Sequence, residues 1–189
     1  MEWTSLSTLK YFLGIQQSNT SLDDFLTTLL NSAEKILKSL LGRDNLIATD
    51  LSQIYHGNGK KRLLLKDYPV NSISSVSIDN EEISQASGNS AGWYLIAAEL
   101  GILGLKGYTF TEGVNNVVIQ YNAGWQTGNF PADLEILTYR IATGLYHQRD
   151  VIGVQSLSLE GLGKKISAIL TDDDLKVLNL YKRRSLGVY

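Results

Sequence analysis

The 189-residue chain contains no cysteine, which removes disulfide scaffolds, thiolate nucleophiles and cysteine-based zinc or iron–sulfur sites. Histidine is nearly as scarce. His56 and His147 have no second histidine at metal-ligand spacing, so a zinc site would need distant carboxylates alone. No run reaches the ~18 consecutive apolar residues that read as a membrane helix. The most apolar stretch, Tyr94 to Leu105, is broken by Glu99 and by glycines. Charge of one sign is not in excess either. Net charge is −2 and no block of like charges exceeds three residues, which argues against a protein held on nucleic acid or membrane by bulk charge. The opening MEWTSLSTLKYFLGI has no basic start, long apolar run or small-residue cleavage site. The expectation is a soluble intracellular chain with no signal peptide and no membrane partner.

Catalytic signatures are missing as well. A serine-rich chain always supplies a Ser-His-Asp set on paper, but no Gly-x-Ser-x-Gly elbow is present. The segment His56-Gly-Asn-Gly-Lys-Lys-Arg superficially suggests a phosphate cradle. It lacks the length and the Ser/Thr of a P-loop, and strands flank it rather than a strand and a helix. A β-turn with a basic exit explains it; the functional alternative is that Lys60, Lys61 and Arg62 line a surface passed by DNA. Asp172, Asp173 and Asp174 could hold a divalent cation, yet their place after Thr171 at a helix start explains them as cap and dipole partners. Lys182, Arg183 and Arg184 read either as a solvated helix end or as a contact patch. The expectation is a protein with no catalytic residues, no metal and no cofactor.

What is present is a foldable chain. Apolar residues make up 43% and charged residues 19%, enough for a packed core, at a length suited to one domain. Thr4 or Ser5 can cap a helix over 4–14 that stops at Gly14. Ser21, with a carboxylate three residues on, opens a helix over 21–42 whose apolar face runs Phe25, Leu26, Leu29, Leu30, Ala33, Ile36, Leu37 and Leu40. From about 46 to 125 the period becomes two: Val76 and Ile78 alternate with serines, and Val117, Ile119 and Tyr121 with polar neighbours. That pattern, with hairpin-length spacers, predicts an antiparallel sheet; residues 84–92, SQASGNSAG, read as a hairpin tip. Pro131 opens a helix over 131–150 with Asp133 and Glu135 in its first turn. Gly161 to Gly163 break the chain, and a last helix covers 172–182. The predicted class is α+β in one domain, a helical bundle body carrying an inserted antiparallel β region.

Taken in order, these marks resemble the head–tail connector (adaptor, head-completion) family of long-tailed bacteriophages. The resemblance rests on Leu6 to Ile15 with Lys10, then Asp23 to Leu26, Ala33-Glu34 and Gly42-Arg43. It continues through Tyr55-His-Gly, Leu-x-Leu before an aromatic-Pro-Val, and Ser-Val-x-Ile. It closes on Tyr121-x-Ala-Gly124-Trp125, then Pro131-x-Asp133-Leu, Tyr146 with Arg149, and Tyr181 to Arg184. It covers almost the whole chain, departing in a longer insertion from about Asn80 to Asn115 and in a loose match at Ser158 to Gly161. The family implies a structural virion protein at the head–tail interface, made in the host cytoplasm. It implies a ring of itself, twelvefold, under the portal protein, extending the channel for packaged DNA and presenting a platform to a stopper or tail-completion protein. Tyr121, Gly124, Trp125, Pro131 and Asp133 then look like the structural corner joining β region and helices. The alternative is a non-enzymatic nucleic-acid-binding or regulatory module that uses the two basic clusters.

Overall fold

The computed structural model describes residues 3–148 and 170–182, gathered into two compact units. Residues 43–129 form one unit, and the described residues before and after them form the other. The expected features at Arg149, Ser158 to Gly161, Gly161 to Gly163, Arg183 and Arg184 lie outside the described residues.

The second of these units is helical: α1 (Leu6–Leu13), α2 (Asp23–Leu41), α3 (Ala132–His147) and α4 (Asp172–Tyr181). Ser5 caps α1, its Oγ accepting the Thr8 N–H at 3.2 Å. Gly14 ends it at φ 67°, and the Ile15 N–H reaches back to the Lys10 carbonyl at 2.9 Å. Glycine takes that left-handed turn at no steric cost, and Gly42 ends α2 in the same way. The start of α2 differs from expectation. Ser21 does not cap it; the serine hydroxyl donates to Asn19 Oδ1 at 2.7 Å, and Leu22 holds the N-cap position without a side-chain bond. A nearby asparagine has captured the hydroxyl. Buried Leu26, Leu30, Ala33, Leu37 and Leu41 give α2 one apolar face, and α3 contributes Leu134, Leu137 and Ile141. α2 packs on α3, α1 packs on both, and α4 rests on α2 and α3.

The other unit is built from two antiparallel sheets. Among the described residues seven strands run β1 (Thr49–Gly57), β2 (Arg62–Leu64), β3 (Val70–Ile78), β4 (Glu81–Glu82), β5 (Gly92–Ala97), β6 (Ile102–Lys106) and β7 (Gly113–Ala123). The four-stranded sheet has the order β1-β7-β3-β4 and the three-stranded sheet β2-β6-β5. Register sorts the residues by face. Rows Leu51–Tyr121–Ile73, Gln53–Ile119–Val76 and Tyr55–Val117–Ile78 cross the inner face of the larger sheet. The rows between them, Ser52–Gln120–Ser75 and Ile54–Val118–Ser77, form the other face. From the smaller sheet Leu63, Leu103, Leu105 and Trp93 join the same buried cluster, together with Phe110.

Two expectations need correcting here. The α+β class holds, but helices are not the dominant body: strands supply the largest buried cluster, because both sheets turn a period-two apolar face toward each other. Residues 84–92 are not a hairpin tip either. β4 pairs with β3 in one sheet and β5 with β6 in the other, so this loop passes between sheets. It folds along Trp93, with Ala86 N–H to Trp93 O at 2.8 Å and Trp93 N–H to Ser84 O at 3.0 Å. The long insertion thereby gains a role. It supplies β5 and β6, two of the three strands that cover the core.

Candidate functional site

Of the residues expected at the corner, Tyr121, Gly124 and Trp125 lie at and just past the end of β7. Tyr121 is 1% exposed, and its hydroxyl donates to Gln53 Oε1 at 2.7 Å while lying 3.0 Å from the Tyr55 hydroxyl. Gln53 passes the chain of bonds on, its Nε2 donating to Asp67 Oδ2 at 2.6 Å. Burial, followed by the bond and charge from Tyr55, pushes the Tyr121 hydroxyl far above the usual phenol range. It is locked neutral. Such a hydroxyl orders a core and does not move protons at neutral pH.

Gly124 has φ 114°, and a Cβ there would stand 2.5 Å from the carbonyl carbon of Ile47. The next residue is held against the same segment: Trp125 N–H bonds Leu46 O at 2.8 Å and Ala48 N–H bonds Trp125 O at 2.9 Å. Pro131 stands at the N-cap of α3, one residue before the first helical position expected of it, and its carbonyl accepts the Glu135 N–H at 3.0 Å. Asp133 does more than complement the helix dipole. Its Oδ2 accepts the Tyr181 hydroxyl at 3.0 Å, so it ties α3 to α4. The same bond, after burial itself, raises the Tyr181 pKa. Tyr121, Gly124 and Trp125 therefore fall in the sheet unit, and Pro131 and Asp133 in the helical one.

Lys60, Lys61 and Arg62 are all exposed, on a turn whose backbone is firmly held. Gly59 N–H donates to Phe110 O at 2.7 Å, Phe110 N–H to Lys60 O at 2.9 Å and Leu105 N–H to Lys61 O at 2.9 Å. Asn58 closes the turn from inside, accepting the Lys60 N–H at 2.9 Å and donating to Arg62 O at 3.0 Å. Lys182 is exposed just past α4.

The residues weighed for chemistry are otherwise engaged. Thr171 and Asp174 form a reciprocal capping box, and Asp174 also pairs with Arg140. Burial alone would raise the Asp174 carboxyl. The bonds from Thr171 and the charge of Arg140 outweigh it and leave the pKa below the usual value. His56 accepts the Asn115 N–H at 3.0 Å, and His147 meets the Tyr146 ring edge-on. Among the described residues no group of three or more His, Asp or Glu side chains is placed to hold a metal ion. No described helix is long and apolar enough to cross a membrane. An open groove of about 430 Å³ lies along Asp50, Leu51, Ser52, Ser74, Gln120 and Tyr121. It offers hydroxyls, the Gln120 amide and the Asp50 carboxylate, with no second titratable acid or base at neutral pH beside it.

Sequence reasoning missed two buried cations. Arg43 is 2% exposed, with its guanidinium carbon 4.2 Å from the Tyr68 ring centre and 4.6 Å from that of Trp125. Lys10, 3% exposed, donates to Asn19 O at 2.9 Å and pairs with Asp23 at 2.5 Å. Arg43 follows a helix-ending glycine and Lys10 lies within a helix, places where a cation ordinarily reads as surface.

Most of these residues hold one another in place, while Lys60, Lys61, Arg62 and Lys182 stay at the surface. No curated protein matches the chain. The neck of an empty gene transfer agent (GTA) particle, computed with C6 symmetry, contains a chain with a TM-score of 0.63 and 16% identity; the match covers 99% of this chain and 97% of that one. The neck of the native GTA particle, computed with C12 symmetry, gives 0.59 at 15% identity over 99% and 97%. The virion of the native GTA particle gives 0.60 at 16% over 97% and 92%. These likenesses establish the fold. The family model for head completion protein matches residues 2–183, which span every described residue of both units, and the chain therefore belongs to the head completion protein family.

Proposed function

We infer that this protein is a structural head–tail connector, an adaptor in the neck of a phage-like virion. The observation that carries the reading is the family match across both units of the chain. Neck chains of the same fold, in particles computed with C6 and C12 symmetry, support it. In this reading the whole of 1–189 acts as one connector domain and needs neither cofactor nor metal. About a dozen copies close a ring by a heterologous contact repeated through rotation. The ring sits below the portal protein, extends the DNA channel and offers a platform to a stopper or tail-completion protein. The protein reaches the virion from the host cytoplasm.

Roles for individual residues follow. Tyr121, Gly124 and Trp125 fix the end of β7 within the sheet unit, and Pro131 with Asp133 fixes the start of α3 within the helical one. Lys60, Lys61 and Arg62, with Lys182, Arg183 and Arg184, supply contacts to DNA or to a partner ring. Particles made without this protein test the reading. Expected are filled heads that leak DNA and carry no tails, with normal capsid and tail yields apart. Complete infectious particles in its absence would overturn it.

A further inference from the structure

The held basic turn forms one wall of a groove. Two loops, residues 58–61 and 107–111, are joined by reciprocal backbone bonds, Gly59 N–H to Phe110 O and Phe110 N–H to Lys60 O. Phe110 itself is fully buried and anchors the second loop in the core. Between and beside these loops lies an open groove of about 390 Å³, lined by Lys61, Gly107, Tyr108, Thr109 and Thr111. Tyr108 is 45% exposed although its neighbour Phe110 is buried. Gly107, at φ 77°, turns the chain sharply after β6 and leaves no side chain of its own in the groove.

We propose that this groove binds the phosphodiester backbone of a nucleic acid strand. The chemistry is that of a general strand-binding surface. Lys61 supplies charge within the groove, and Lys60 and Arg62 flank it in sequence. Thr109 and Thr111 add hydroxyl donors for phosphate oxygens, and the Tyr108 ring is a platform on which an unpaired base can stack. Because the loops are already bonded together, little backbone order has to be gained on binding. One group opposes the reading and sharpens it. Exposed Glu112, adjacent to Thr111, places its Cβ within 4.0 Å of the position a Cβ on Gly59 would take. Its carboxylate repels phosphate. The proposal does not depend on ring formation, since every residue it uses lies in one unit of one chain.

The test is fluorescence anisotropy on the purified full chain with labelled single-stranded DNA, duplex DNA and RNA of one length, across a salt series. Binding is expected to weaken with salt, with a log–log slope of at least about 0.7 for a single strand meeting Lys61. Lys61→Ser should lower that slope by about 0.7 and leave the melting temperature unchanged. Tyr108→Ser should weaken the single strands at least about fivefold and spare the duplex if an unpaired base is what stacks; equal loss on all three would assign Tyr108 to the backbone. Glu112→Gln should tighten binding to every nucleic acid. Polyglutamate serves as competitor. If it displaces DNA at equal charge concentration and Tyr108→Ser has no effect, the groove takes acidic protein surfaces and the proposal is wrong. Salt-independent binding, or binding unaltered by Lys61→Ser and Arg62→Ser, overturns it as well.

Discussion

The guanidinium of Arg43 lies 4.6 Å from the ring centre of Trp125, and none of its three nitrogens makes a hydrogen bond. Contact with the Trp125 and Tyr68 rings and the charge of Asp67 therefore have to offset the desolvation of the cation. Burial is the largest influence on it and draws its pKa down, against the raising effects of Tyr68 and Asp67. A cation over an aromatic ring contributes on the order of 2 kcal/mol when desolvated, while an unbonded buried charge costs several. Two such rings together with the charge of Asp67 bring the gain close to that cost. Arg43→Met, which keeps the volume without the charge, should leave unfolding free energy within about 1 kcal/mol of the parent. Arg43→Ala should cost about 2–4 kcal/mol by emptying the space between the ring contacts. Urea denaturation of both variants checks the ordering; equal losses would mean that the charge itself is required.

Gly124 is limited twice over, by φ 114° and by Ile47, whose carbonyl carbon would stand 2.5 Å from a new Cβ. Gly124→Ala should cost about 2–4 kcal/mol, because the backbone cannot yield without breaking the Trp125–Leu46 bond. Thermal unfolding reads this directly. Gly14→Ala is the control: nothing lies within 4 Å of its Cβ position, so only the left-handed backbone at φ 67° is strained and about 1 kcal/mol is lost.

Asp174 predicts an acid dependence. Its folded pKa lies below the ordinary carboxylate value, so it contributes stability at pH above that ordinary value. The contribution fades as pH falls through the folded pKa, when the protonated group can no longer hold the Thr171 N–H or Arg140. Asp174→Asn should remove about 1 kcal/mol at neutral pH and flatten the stability profile below pH ~4. An unchanged acid limb in the variant would contradict the assignment.

Features fixed by near neighbours were legible in the sequence. The stops at Gly14 and Gly42 and the cap at Thr171 depend on residues within five positions of one another, so spacing alone revealed them. Ser21 misled because Asn19, only two residues away, competes for the same hydroxyl. Long-range features were not legible. Period two located the strands but could not say that β4 and β5, ten residues apart, enter different sheets. Nor could it show that Lys60 and Phe110, fifty positions apart, meet where the two loops form the groove. Nor was the burial of Arg43 and Lys10 legible, because burial of a cation depends on rings and carbonyls supplied from elsewhere in the chain.

The central claim is assembly, and it is tested most directly by electron microscopy of the purified protein mixed with portal protein from the same particle, with light scattering on each alone. The protein alone should scatter as a monomer or small oligomer at low concentration, because no single interface is expected to be strong. On the portal it should form a closed ring of about a dozen copies, continuous with the portal channel. A stable closed dimer that never associates with portal protein would contradict the account.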